Sequence, residues 1–135
     1  MEKTAFKLNG EEIINMTPAD IVILPEGGGK IVIPRSGFEV GLDDEFYKPS
    51  PAECDVPLVH IENKNSNRAK LKIFRAADTP KTTPLPDKLG KKYVILDKEF
   101  YSFGGITFGA ILIPLTNVYD EQGRIIGYRS LGYIH

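Results

Sequence analysis

Apolar residues recur in short runs broken by glycine, proline and polar turns. The clearest pair lies between positions 13 and 37. Ile21-Val22-Ile23-Leu24 and Ile31-Val32-Ile33 flank a loop of Pro25, Glu26 and three glycines, and Pro34-Arg35-Ser36-Gly37 closes the second run. Both runs are short and β-branched, so the stretch predicts a β-hairpin. Their apolar residues are consecutive rather than alternating, which predicts cover on both faces in a barrel, a sandwich or an oligomer. Upstream, Thr17-Pro18 makes a stiff lead-in, since proline fixes its own φ and drives the preceding residue towards extended geometry. Asn15, Thr17 and Asp20 carry side chains able to bond back to local backbone.

Further along, Phe38, Val40 and Leu42 alternate with Glu39 and Gly41, the period of a half-buried strand. Residues 43–55 are acidic, contain Pro49 and Pro51, and predict a long surface loop. Residues 56–61 and 69–74 read as a strand and its return about the turn cluster 63–67. On the return strand Arg68, Lys70, Lys72 and Phe74 share one face, Leu71 and Ile73 the other. Residues 76–91 hold three prolines and no period, a second loop. Residues 93–96 form a strand. Asp97 then caps one short helical turn through Phe103, stopped by Gly104-Gly105, or the segment is an irregular aromatic turn. Residues 106–113 predict a long apolar strand ended by Pro114, with Gly109 marking a bulge or a close backbone approach. Residues 115–119 and 124–131 flank Asp120-Glu121-Gln122-Gly123 and predict a second hairpin.

The fold expected is mainly β, either all-β or α+β: a compact antiparallel barrel or sandwich of short strands with at most one short helix near 97–103. Residues 1–12 form a polar N-terminal arm, and 13–135 one β-rich domain with long loops near 43–55 and 76–91. Unbroken apolar strands in a chain of 135 residues predict a homo-oligomer that covers the remaining face.

Composition narrows the function classes. Seventeen basic and eighteen acidic side chains nearly cancel, which argues against a general polyanion binder or a nucleic-acid partner. No apolar run reaches the roughly 20 residues needed to span a bilayer, and the first twelve residues lack the apolar core of a secretory signal. Cys54 is the only cysteine and cannot form an internal disulfide, which fits a reducing cytoplasm, and its neighbours Glu53 and Asp55 disfavour a nucleophilic thiolate. A cytoplasmic protein with no membrane partner is expected. His60 and His135 are the only histidines, and Asp43, Asp44 and Glu45 lack the spacing of a calcium hand, so no metal site is expected. Gly27-Gly28-Gly29-Lys30 lacks the glycine spacing, the Ser or Thr and the helix of a phosphate loop. There is no G-x-S-x-G and no recognisable nucleophile–base arrangement. These absences predict no enzyme and no cofactor.

Two clusters remain. The Arg68-Lys70-Lys72 face with Phe74 could meet nucleic acid, but lysines that block edge pairing are the better reading. The second cluster is Arg35, Arg124 and Arg129 with Tyr119, Tyr128 and Tyr133. If the two hairpins meet at one end, the arginines would hold phosphate bidentately, Tyr128 would stack on a base, and Asn15 and Thr17 would orient polar edges. The bland alternative makes the arginines rim charges and lets the tyrosines straddle core and water.

The hairpins also carry a resemblance. Ile14-Asn15-Met16-Thr17-Pro18-Ala19-Asp20-Ile21 resembles the I/V-N-L-T-P-H-x-I opening of a group of small phage and prophage proteins. Ile33-Pro34-Arg35-Ser36-Gly37 is similar to that group's I-P-x-S-G segment, and Gly90-Lys91-Lys92-Tyr93-Val94 to its G-x-x-Y-[IV]. Asp120-Glu121-Gln122-Gly123-Arg124-Ile125-Ile126-Gly127 is similar to its closing D-x-x-G-R-[IV]-[IV]-G. Ala19 stands where the group has histidine, so any role of that histidine is missing, and the loops at 43–55 and 76–89 are unlike the group's. The resemblance implies a phage or prophage setting, hence a host cytoplasm, rather than a chemistry. By analogy with small phage proteins that soak up nucleotide signals of host defence, the expected function is non-enzymatic binding and sequestration of a small anionic ligand. The rival class is a structural or protein-interaction module, either a host-protein inhibitor or a virion accessory.

Overall fold

A computed structural model describes residues 2–4, 7–8, 10–42, 47–49, 59–61, 71–86, 88–100 and 109–134. The fold is mainly β, as the pattern predicts. The strands are β1 (Glu2–Thr4), β2 (Lys7–Leu8), β3 (Glu11–Asn15), β4 (Ile21–Ile23), β5 (Lys30–Ile33), β6 (Phe38–Leu42), β7 (Tyr47–Pro49), β8 (Val59–Ile61), β9 (Leu71–Arg75), β10 (Tyr93–Ile95), β11 (Ala110–Tyr119) and β12 (Ile125–Ile134). The main sheet runs β1-β5-β4-β12-β11-β10-β3-β2 and curls into a half-barrel. Its outermost strands are consecutive in sequence: from Thr4 to Lys7 the chain spans three Cα steps, at most about 11 Å. The two ends of the sheet therefore lie close together.

Both predicted hairpins are present. β4 and β5 pair antiparallel with Ile21 opposite Ile33, and β11 and β12 pair antiparallel around the 120–123 turn. The sheet is nevertheless mixed rather than purely antiparallel, because β1–β5, β10–β11, β10–β3 and β12–β4 are parallel. Pro114 does not end a strand as expected; β11 runs straight through it. Ala110 donates its N–H to the Lys92 carbonyl, and the Leu112 carbonyl accepts from Leu96 N–H, so alternate residues of β11 face β10. Pro114 is next in that series, just beyond the end of β10. Its missing N–H costs no ladder bond there. Two residues on, Thr116 has φ +62°, and together the two positions blunt the open edge.

Other expectations are corrected. The strand at 71–75 pairs with β6, not with residues 56–61, placing Leu42 opposite Leu71 and Val40 opposite Ile73. This pairing buries Phe38, Val40 and Leu71 together, whereas β8 pairs with β7, which lies inside the predicted 43–55 loop. On β9 the predicted faces hold: Leu71 is buried, Lys72 and Phe74 are exposed. Arg68 and Lys70 lie outside the described residues, as do Cys54 and Asp43 to Glu45. At 97–103 the described part is a single 3-10 turn, Lys98–Phe100, closed by Phe100 N–H to the Asp97 carbonyl rather than by a capping side chain. The N-terminal arm contributes β1 and β2.

Two clusters form the core. Ile13, Ile21, Ile23, Ile33, Ile95 and Leu112 come from strands near both ends of the sheet, so they fill its concave side. Met16, Phe38, Val40, Leu71, Leu89, Val94 and Leu96 pack where the β6–β9 pair covers the other side. Successive residues of β10 alternate between the two, as a strand's period of two requires. Val94 and Ile95 are both 0% exposed, so cover on both faces is met most fully here. In the first hairpin Ile21, Ile23 and Ile33 are buried, but Val22 and Val32 on the opposite face are only half-buried. Among the described residues no helix is long and apolar enough to cross a membrane.

Asp97 is half-buried beside this core, and burial, then the charge of Glu99, pushes its carboxyl above the usual range. A carboxyl raised in the folded state favours folding while protonated, and that contribution is lost as pH rises through its folded pKa. Asp97→Asn is therefore expected to melt higher than the parent at pH 7. The gap should close below the carboxylate range, as melting temperature against pH would show.

Candidate functional site

The site begins at the seam that holds the curled sheet together. An isolated parallel bridge joins Asn15, at the end of β3, to Arg35, just past β5. Asn15 is 1% exposed and fully used. Its amide donates to the carbonyls of Ala19 (2.8 Å) and Ile33 (3.1 Å). Its Oδ1 accepts from Thr17 N–H (2.9 Å) and the Thr17 hydroxyl (2.6 Å), an Asx turn that stops β3 and sends the chain into β4. The Asn15 carbonyl accepts from Ser36 N–H (3.0 Å) and Ser36 Oγ (2.8 Å). The Asn-x-Thr-Pro and Pro-Arg-Ser-Gly segments, about twenty positions apart, are thus two halves of one polar knot.

That knot fixes Arg35. Its backbone N–H donates to Asp20 Oδ1 (2.9 Å), which leaves the side chain on the outer surface. There both terminal nitrogens engage Asp78, Nη1 with Oδ1 at 3.2 Å and Nη2 with Oδ2. This two-pronged geometry suits a planar guanidinium and an oxyanion. The hydrogen bond to Arg35 is the first cause that holds the Asp78 carboxyl below the usual range. Stability from this pair is expected to fade as pH falls through the Asp78 folded pKa.

Arg35 stands between two recesses. The larger, about 360 Å³, is lined by Glu12, Ile13, Ile14, Asn15, Pro34, Arg35, Ser36, Phe38, Pro84 and Pro86. The smaller, about 220 Å³, is bounded by Arg35, Ser36, Gly37, Asp78, Thr79 and Pro80. The larger falls at the low end of volumes typical of small-molecule sites. Glu12 on its wall pairs with Lys92 at 3.2 Å. Among the described residues no group of three or more His, Cys, Asp and Glu side chains gathers to hold a metal ion.

The structure brings Asn15, Thr17 and Arg35 together at the seam but does not bring Arg124, Arg129 or Tyr128 to them. None of those three lines either recess. Arg124 locks its own turn. The Asp120 carboxylate accepts from Arg124 N–H, Gln122 N–H and Arg124 Nε, while Arg124 Nη2 reaches Gln122 Oε1 at 2.6 Å. These bonds, the Arg124 backbone first, hold the Asp120 carboxyl low. The Asp-x-x-Gly-Arg signature is therefore accounted for as turn chemistry, with Gly123 at φ +79°. Arg129 donates to the Leu24 carbonyl at 3.0 Å, tying β12 to β4. Tyr128 is half-buried against the concave core, opposite Ile23. Tyr119 and Tyr133 are exposed, the latter beside Tyr93 with ring centroids 6.1 Å apart.

Asp78 and the proline walls are the parts that sequence reasoning missed. The prolines of residues 76–91 marked a loop and not a wall, and nothing local marks Asp78 as the partner of a residue 43 positions away. Comparisons with protein-family models, with curated proteins and with solved structures find no match for this chain.

Proposed function

We propose that the chain is a non-enzymatic, phage-type binding protein that takes up a small anionic ligand, a nucleotide signal of host defence, at the Arg35 recess and sequesters it. The observation that carries this reading is the two-pronged Arg35 guanidinium at the rim of a recess of about 360 Å³. Arg35 would hold the phosphate, and Phe38, Pro34, Pro84 and Pro86 offer apolar walls for a ring. Asn15 and Thr17 act as scaffold in this reading, because their polar atoms are already engaged inside the protein. Calorimetry against linear and cyclic nucleotides should find a ligand for the parent and binding at least about tenfold weaker for Arg35→Ala, the loss of a charge-assisted contact. No binding by any member of the panel would sink the reading.

A second reading has its own support. Leu115, Tyr119, Ile125, Ile126 and Tyr133 are all exposed on the β11–β12 hairpin, an apolar concentration that favours an interaction module, whether a homo-oligomer or a host-protein partner. Native mass spectrometry of freshly purified protein reports subunit count and retained ligand together. A bare monomer without ligand would count against the ligand reading and the homo-oligomer, and co-purification that recovers no host protein would count against the remaining arm.

A further inference from the structure

We propose that Asp78 is a built-in competitor for the anion position on Arg35, and that an incoming oxyanion displaces it and frees the 76–86 strap that walls the recess. This inference rests on the ligand-binding reading and adds a regulatory step to the same site. Three observations carry it.

The first is which partner is fixed. Arg35 is pinned by its backbone, through the bridge to Asn15 and the bond to Asp20. Asp78 lies on a segment of turns with no strand or helix, held by few ties to the body. Among the described residues those ties are Ala76 N–H to the Gly37 carbonyl (2.7 Å), the Thr79 hydroxyl to the same carbonyl, and Arg75 Nη2 of β9 to the Thr83 carbonyl. When the pair separates, the strap is the side that moves.

The second is access. The side chains of Arg35 and Asp78 are 38% and 61% exposed, so a dissolved anion can reach the guanidinium without unfolding anything. An exposed ion pair is also a weak one, readily exchanged for another oxyanion.

The third is placement. The strap supplies Pro84 and Pro86 to the larger recess and Asp78, Thr79 and Pro80 to the smaller. Arg35 and Ser36 line both recesses, and Asp78 meets Arg35 on the side of the smaller. An anion that takes the Asp78 position opens that contact and joins the two spaces, giving a phosphate room on one side and a ring a proline-lined wall on the other.

The test compares the parent with Asp78→Asn, using pyrophosphate and AMP as probes in calorimetry and following backbone amide exchange at Thr79 and Thr83. Asp78→Asn should bind both probes about three- to fivefold tighter, the scale of an exposed ion pair. In the parent, saturating AMP should speed exchange across the strap. Asp78→Asn should show the fast exchange without any probe. If the parent binds but Asp78→Asn binds no tighter, the competitor role is overturned and the ligand-binding reading survives. If affinity rises but strap exchange stays unchanged on binding, the release step is overturned. If neither protein binds either probe while both keep the parent's circular dichroism, the inference fails together with the reading beneath it.

Discussion

Replacing Asn15 with alanine will cost about 3–5 kcal/mol of folding stability, a large share of what a domain of this size holds. The side chain makes four hydrogen bonds inside the protein: two given to Ala19 and Ile33 carbonyls, two accepted from Thr17. Alanine removes all four; the Thr17 hydroxyl and the Ala19 carbonyl still have each other (2.9 Å), but Thr17 N–H and the Ile33 carbonyl lose their side-chain partner, and each buried orphan costs about 1–3 kcal/mol. Not every partner is sealed from water, which keeps the total below the simple sum. Urea denaturation gives the number directly. Asn15→Asp is the informative companion: it keeps the acceptor for Thr17 but turns the donor into a carboxylate oxygen facing two carbonyls, so it should be at least as damaging. A loss under about 1 kcal/mol for Asn15→Ala would mean that the seam does not hold the sheet closed.

The same knot explains why function and fold are hard to separate here. The segments that a sequence reader picks out as candidate chemistry, Asn-x-Thr-Pro, Pro-Arg-Ser-Gly and Asp-x-x-Gly-Arg, use nearly all their polar atoms on one another or on their own turns. Of the charged side chains in these segments, Arg35 is the one that lines the recess, across from the β3 carboxylate Glu12. A seam that buries Asn15 and Thr17 and bonds Ser36 to the Asn15 carbonyl also sets where the neighbouring side chain must stand, so the position of Arg35 is a by-product of closing the sheet.

Much of this was legible beforehand. β-branched runs between glycine and proline corners specify the two hairpins, because period and turn chemistry are local. The alternation Phe38, Val40, Leu42 likewise marks a strand with one buried face. The partner of 71–75 was not legible: Leu71 and Ile73 fit equally well against any apolar strand, and only the global packing selects Val40 and Leu42 over residues 56–61. Pro114 misled for a related reason. Proline ends a strand only when its missing N–H would have faced a neighbour, and that depends on where β10 stops. The proposed cluster of three arginines failed to assemble because Arg124 and Arg129 have partners within the protein, Asp120 and the Leu24 carbonyl, that need no ligand. Of these, the Asp120 pairing could be read from its four-residue spacing, whereas the Leu24 contact spans 105 positions and carries no local sign.

Gly109→Ala is expected to be the other severe substitution, costing more than about 3 kcal/mol. Gly109 directly precedes β11, where the chain passes β10 so closely that a Cβ would overlap the Lys92 carbonyl oxygen and lie 2.8 Å from the Gly90 carbonyl oxygen. Both obstacles are backbone, so no side-chain rotation relieves them. The nearest adjustment swings residue 109 away, which breaks Ala110 N–H to the Lys92 carbonyl (3.0 Å), the first bond of the parallel β10–β11 ladder. That ladder carries Val94, Ile95 and Leu112 into the two cores, so the damage reaches both. Gly123→Ala is the control: it also sits at a glycine, but with φ +79° and open space around it, so only backbone strain of about 1 kcal/mol applies. Thermal melts of the two variants side by side should therefore differ widely. Equal losses would mean that the β10–β11 approach is looser than the register of Tyr93 with Ala110 requires.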